Sequence, residues 1–395
     1  MSRKKRVVEP NDLEGFKFLK PVQELLSALA EDSASNPNRK LQFDHYVTLL
    51  LFYFFNPTLT SLRGLQASTT FEKIRKKLSL PEKGRGTSLG SLSAAQHVFD
   101  HEALKPLLEG LLQQLPENKG PDRLKELKKI VTVADGTLLR ALPRVAWALW
   151  INDKKRAAKA HVQFEVLKGA PSAVDMTAGN GDEKQVLSER LESGRFYVLD
   201  SGYAKFALFQ EVIEAGSNFV CRLPENWVYE VLEERQLRDA DREARVLRDV
   251  VVKLGSGGKA SKKLKQNVRL VEIERVDEPS KRMRRERPVR KTIVLVTDRL
   301  DLEADLIALL YSSRWKIEIF FRWLKCTLGC KKLLAESQNG AALQIYSALI
   351  SCLLVSLWLG RKPNKRTFEA ICFYLQGLAD AEDVVAAAKA GKPHT

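Results

Sequence analysis

The spacing of apolar residues changes period along this chain. Up to about residue 122 they recur at helical intervals. Phe43–Phe55 predicts an apolar helix stopped by Asn56-Pro57, because the residue before a proline is pushed out of the α region. Phe71–Leu80, Ser91–Phe99 and Ala103–Leu115 predict three more helices, the last closed by Pro116 and a Gly120-Pro121 turn. From Lys129 the pattern turns β-like. Lys129–Ala134 predicts a strand ending on Asp135-Gly136, and His161–Val166 and Ser172–Thr177 predict a hairpin around Lys168-Gly169-Ala170-Pro171. A helix at about Asp182–Leu191, a strand Phe196–Leu199 ending on Asp200, a helix Phe206–Ala215 and a strand Asn218–Leu223 follow. This order predicts an α/β sheet of mixed direction. Two of its strands deliver an aspartate at their C-terminal ends, where open sheets place their sites.

Residues 225–291 break this rhythm. Lys253–Lys291 holds 14 basic and 5 acidic residues, a net charge of +9, around one predicted strand, Val268–Glu274. So concentrated a charge suits a phosphate-binding insertion, and a solvated insertion is the plainer alternative. The sheet pattern returns at Thr292–Thr297, followed by one long predicted helix from Leu302 to about Leu328. Residues 340–395 read as helical, with a break at Lys362-Pro363-Asn364. Ala341–Gly360 is long enough to cross a bilayer, yet it carries Gln344, Tyr346, Ser347, Ser351 and Ser356. It is expected to be a buried core helix, with no membrane partner. The divisions expected are 1–122, 123–224, 225–291, 292–335 and 336–395.

Ordinary globular composition, 44% hydrophobic and 29% charged over 395 residues, excludes collagen-like, disordered and disulfide-scaffold chains. Charge says more: 65 Lys and Arg against 49 Asp and Glu leave 65 − 49 = +16. That points to a polyanion partner, and to nucleic acid rather than a membrane surface, since no basic amphipathic helix stands out. Cys221, Cys326, Cys330, Cys352 and Cys372 form no C-x-x-C pair, which suits a reducing compartment without structural zinc. Cys326 and Cys330 are expected to be packing residues. The MSRKKRVVEP start has no apolar signal core, so a cytoplasmic location is expected.

The candidate chemistry sits in the last core helix. In the stretch from Tyr311 to Lys325, Tyr311, Arg314, Glu318 and Lys325 fall within an arc of about 60° on a helical wheel, with Arg322 beside them. Leu310, Ile317, Phe320, Phe321 and Leu324 take the opposite, core-facing side. A lone carboxylate among cations can hold a divalent metal against a phosphate backbone while the cations hold the phosphates. An i,i+4 ion pair on a solvated face is the plainer reading. Two-metal phosphoryl chemistry needs further carboxylates, and Asp135 and Asp200 are the natural partners.

The spacing Tyr311-x2-Arg314-x3-Glu318-x6-Lys325 resembles the Y-x2-R-x3-E-x6-K (YREK) signature of a group of bacterial insertion-sequence transposases with a DDE active site. The block from Val133 through Asp135 to Arg140 is similar to that group's first-aspartate block, and Tyr197-Val-Leu-Asp200-Ser-Gly-Tyr203 to its second. Thr87–Ala94 resembles an N-terminal motif of the same group. The likeness covers about residues 45–375.

The resemblance implies an α/β, RNase H-like mixed-sheet catalytic core with a β-rich insertion, a helical N-terminal DNA-binding domain and a helical C-terminal segment. It implies Asp135, Asp200 and Glu318 as catalytic, metal-binding residues for Mg2+, with Mn2+ as substitute. Tyr311, Arg314 and Lys325, with Arg322 nearby, are implied to contact DNA, and Trp227 to stack on a flipped base. The implied partners are double-stranded DNA, as terminal inverted repeats and target, and a second copy in a homodimer on DNA; the implied location is the nucleoid. The implied activity is cleavage at element ends and strand transfer, through a hairpin in relatives with this signature.

Asp182 is expected to cap a helix, Asp298 to serve a turn and His161 to be hydrogen-bonded; Asp175, in the hairpin, also competes for the acidic site. An RNase H-fold nuclease, an inactive relative and a non-enzymatic basic DNA-binding protein remain alternatives.

Overall fold

The computed structural model describes residues 26, 41–78, 80, 86–117, 121–141, 145–150, 155–225, 227–255, 264–277, 289–330, 333–360 and 363–390. In the N-terminal part, α1 (Phe43–Phe54) buries most of its circumference. α2 (Leu62–Ser68), α3 (Glu72–Lys77) and α4 (Leu89–Val98) follow. Ser61 and Ser88 cap α2 and α4 by accepting the backbone N–H of Gly64 at 3.1 Å and of Ser91 at 2.9 Å. A 3-10 turn at His101–Leu104 leads into α5 (Lys105–Gln114), and α6 (Asp122–Lys125) ends the unit.

Then come β1 (Ile130–Arg140), β2 (Ala157–Glu165), β3 (Ala170–Ala178), α7 (Glu183–Ser188), β4 (Arg195–Leu199), α8 (Phe206–Glu214) and β5 (Asn218–Leu223). β6 (Tyr229–Glu234), α9 (Asp239–Glu243), β7 (Val246–Leu254), β8 (Val268–Asp277) and β9 (Val289–Thr297) continue the chain. α10 (Ala304–Ser312), α11 (Trp315–Cys326), α12 (Gln338–Leu359), α13 (Lys365–Gln376) and α14 (Ala381–Ala390) complete it.

Among the described residues all nine strands belong to one mixed sheet, in the order β3-β2-β1-β4-β5-β9-β8-β7-β6. The β1–β4 and β4–β5 ladders are parallel, and all the others are antiparallel. Side chains alternate across such a sheet. Val131, Val133, Val198 and Val220 join the core that includes Ile317, Phe320 and Leu324 of α11. Ala134, Tyr197, Leu199, Phe219 and Cys221 join Leu208, Phe209 and Val212 of α8 in a second core. Asp135 and Asp200 continue the Val131-Val133 and Val198 parity, so both aspartates point to the α11 face.

α12 is the one helix among the described residues long and apolar enough to span a bilayer, and 94% of its apolar window is buried inside the fold. Its polar atoms turn inward as the core-helix reading requires: Ser347 and Ser351 donate to carbonyls one turn back at 2.8 and 2.9 Å, and the Tyr346 hydroxyl donates to Val174 O at 3.0 Å.

Five expectations change. β1 does not end at Asp135 but runs on to Arg140, because β2 pairs with it along that whole length. Its ladder with β4 stops at Val133, so Asp135 still lies just past the parallel pairing. The segment 225–291 holds three strands, not one, and the expected boundary at 291 falls inside β9, which pairs with both β5 and β8.

The single helix expected over 302–328 is two. Ser312 and Ser313 donate to Leu309 O and Leu310 O at 2.7 and 2.6 Å, and the backbone bonds from Ser313 to Ile317 tighten to i→i−3. Such back-bonding bends helices. Finally, Cys330 is buried as expected, while Cys326 is exposed.

Candidate active site

Three acids from distant parts of the chain come to one end of the sheet on the α11 face. Asp200 directly follows β4, and its carboxylate accepts the Ser201 N–H at 2.7 Å. Glu318 lies one turn into α11, which is anchored from below by Phe320 against Phe164 of β2, with ring centroids 5.5 Å apart. Arg314, at the turn between α10 and α11, joins them: its Nη2 donates to Glu318 Oε1 at 2.5 Å and its Nη1 is 3.9 Å from Asp200 Oδ2. The guanidinium is deeply set, with 13% of its side chain exposed. Burial alone disfavours its charge, but Asp200, Tyr311 and Glu318 more than offset that and hold its pKa above the ordinary arginine value.

Asp135 is half-buried. Burial pushes its carboxyl up from 3.8 to about 6, against the N–H of Gly136, which donates to it at 2.8 Å. Glu183 and Asp200 push the same way, and Arg314 opposes them. Glu183 is a residue the sequence reading passed over. Its carboxylate pairs with Lys159 at 3.1 Å and fills the space a side chain at Gly136 would need, 2.7 Å from the place of its Cβ. The signal available was the glycine directly after Asp135, which leaves room for a neighbour.

Tyr311 is not on an open ridge. It is buried, its phenol pushed up to about 12 by burial and then by Asp200. Arg222, on β5 and on the Val220 side of the sheet, also bears on Tyr311. Among the described residues the Arg222 guanidinium makes no ion pair or hydrogen bond, and the sequence reading missed it because it lies in what reads as a plain core strand. Lys325 is half-buried and its ammonium is held below the ordinary lysine value by burial. Arg322 is exposed. Trp227 sits elsewhere: its ring packs 4.5 Å from Phe206 and 6.0 Å from Phe209, centroid to centroid, so the stacking it makes is within the fold.

The competing acids have structural partners. Asp182 caps α7 through the Lys184 N–H at 2.9 Å, as expected. Asp298, directly after β9, accepts the Phe219 N–H of the neighbouring β5 at 2.9 Å. Asp175 pairs with Arg190 at 2.9 Å. His161 Nε2 meets Thr177 Oγ1 at 2.7 Å, again as expected.

Carboxylate oxygens are the donors that hard divalent cations such as Mg2+ and Mn2+ take. Among the described residues no three Asp, Glu, His or Cys side chains lie close enough to hold one ion together. The donor chemistry nevertheless fits: Asp200 and Glu318 already share one cation, the Arg314 guanidinium, and Asp135 is a desolvated carboxyl whose ionised form needs positive charge nearby.

Comparison with known proteins bears on the same stretch. Residues 126–354, more than half of the chain, match the family model described as "Transposase DDE domain". Transposase y4zB of Sinorhizobium fredii is 28% identical over 251 residues, 63% of this chain and 66% of its own length. The transposase for insertion sequence element IS5377 of Geobacillus stearothermophilus is 25% identical over 275 residues, 69% of this chain and 67% of its own length. That for element IS4SA of Synechocystis is 22% identical over 338 residues, 84% of this chain and 89% of its own length. Thus the match spans about two thirds of the length of the first two relatives. Among solved structures, the piggyBac transposase synaptic complex with hairpin DNA aligns with a TM-score of 0.45 and 12% identity, covering 99% of this chain and 84% of that one.

Proposed function

Since the chain belongs to the DDE-domain transposase family, we propose that it cleaves DNA at the ends of an insertion sequence and joins those ends to target DNA, as a member of the YREK group. One observation carries the reading. Acids from the end of β4 and from α11 share Arg314, beside the desolvated Asp135. The strand order β3-β2-β1-β4-β5 supports an RNase H-like core.

In this reading Asp135, Asp200 and Glu318 are the catalytic carboxylates and would hold the divalent metal, Mg2+ or Mn2+ in its place. The ion would supply Lewis acidity and charge neutralisation at the scissile phosphate. The chain's own residues then position the substrate. Arg314 and Arg222, both turned to the α11 face, present guanidinium forks that suit phosphate oxygens. Lys325 and Arg322, further along α11, extend the cationic track toward the flanking duplex, and Tyr311 backs Arg314 from the core side. Water attacks one phosphodiester and releases a 3′-hydroxyl, which then attacks a second phosphorus and displaces its 3′-oxygen. A homodimer pairs the two ends. The charge of +16 favours association with DNA over the surrounding salt.

The test is a strand-transfer assay with a plasmid carrying the gene and its own flanking DNA. Covalently joined or hairpin-ended products are expected. Cleaved ends that never join would mark a nuclease of the same fold instead.

A further inference from the structure

Arg314 occupies the position a shared cation would take. Its two terminal nitrogens reach different carboxylates, Glu318 at 2.5 Å and Asp200 at 3.9 Å, and the group is mostly buried. A divalent ion cannot join Asp200 to Glu318 while the guanidinium stays between them, because the two positive charges would share one desolvated space. The same guanidinium has a second partner of better geometry whenever DNA is present: a phosphate takes both N–H groups of its fork. It is also placed to change partners. Arg314 lies in the Ser313–Arg314 turn, where the α-helical bonding is interrupted, so its side chain is carried by a short irregular link rather than by the middle of a helix.

We propose that Arg314 is the internal counter-cation of the acidic site in the free protein, and that transfer of its guanidinium to a DNA phosphate unmasks Asp200 and Glu318 for the metal ion. DNA and metal therefore bind with positive coupling, and the protein alone holds metal weakly. This keeps the nuclease chemistry unloaded until a strand is in place. The proposal rests on the reading of Asp200 and Glu318 as metal ligands. By linkage the coupling is reciprocal: metal tightens DNA binding by the same factor as DNA tightens metal binding.

Mn2+ binding to the full chain, followed by titration calorimetry and by the loss of its free-ion paramagnetic resonance signal, tests this without any cleavage. Random-sequence duplex serves as the DNA, since the exchange reads phosphate and not bases. Wild type should bind Mn2+ about tenfold more tightly with duplex than without it. Arg314→Gln should bind Mn2+ about tenfold more tightly than wild type without DNA, and duplex should then add less than twofold. Arg314→Lys, which keeps the charge but loses the fork, should fall between them. Equal Mn2+ affinity in wild type and Arg314→Gln, or equal tightening of both by duplex, overturns the proposal. If Arg314→Gln does not fold, the wild-type coupling with and without duplex still decides, and its absence overturns the proposal. Asp200→Asn separates the two levels: if it leaves Mn2+ binding untouched, the metal-site reading fails. If it abolishes binding while Arg314→Gln changes nothing, only the counter-cation role fails.

Discussion

Asp135 should cost the metal-free protein stability, and Asp135→Asn should return it. Burial holds the carboxyl near pH 6 in the folded chain against 3.8 for the exposed group. Between those values the folded state binds more protons than the unfolded state, so the free energy of unfolding falls as pH rises from about 4 to about 6 and levels off above that. The difference of about 2 pH units corresponds to about 3 kcal/mol at neutral pH. Asparagine keeps an oxygen to accept the Gly136 N–H, which now donates to Asp135 at 2.8 Å, and has no charge to bury. For a chain of this size about 3 kcal/mol moves Tm by on the order of 4 °C. Scanning calorimetry in chelator should show Asp135→Asn melting higher than wild type at pH 7.5, with the gap closing by about pH 4. With duplex DNA present, adding Mn2+ should raise Tm of wild type and leave Asp135→Asn unmoved. A mutant that melts lower than wild type at pH 7.5, or a gap independent of pH, would refute the desolvation argument.

Other consequences follow from single contacts. Arg269 and Asp249 form a two-bond pair at 2.6 Å, both almost fully buried. Arg269→Met leaves the Asp249 charge alone and should cost about 3–5 kcal/mol in urea unfolding; a loss under 1 kcal/mol would contradict it. Gly360 ends α12 at φ +65° with open space where a Cβ would sit, so Gly360→Ala should cost about 1 kcal/mol from backbone strain alone, and an unchanged denaturation midpoint would argue against it. Arg222→Ala and Lys325→Ala should each weaken duplex binding and lower the slope of log affinity against log salt by about 0.9, read by fluorescence anisotropy. Unaltered slopes would remove these residues from the phosphate track.

Parts of this architecture were legible in the sequence because they rest on local rules. β5 appears where its apolar run places it, and Asp182 caps α7 as its position before Glu183 suggests. The core face of α11 follows from period alone, since Ile317, Phe320, Phe321 and Leu324 are all buried. What was not legible depends on partners far along the chain. β1 extends past Asp135 only because β2 offers a continuous edge. β6 exposes nearly every residue, so no alternation marks it, and it exists by pairing with β7. The α10–α11 break hangs on two serine hydroxyls that a helical wheel treats as ordinary polar positions. Glu183 and Arg222 come to the site through sheet parity and loop return, neither of which a linear spacing encodes.

The central claim, that Asp135, Asp200 and Glu318 form one DNA-cleaving site, is tested most directly by Glu318→Gln. Wild type and mutant should be incubated with a plasmid carrying the gene and its flanking DNA, with Mg2+ and with chelator, alongside binding to the same DNA. The account predicts metal-dependent breaks at fixed flanking positions for wild type, none for the mutant, and DNA binding by both. Breaks at the same positions and rate in Glu318→Gln would contradict it.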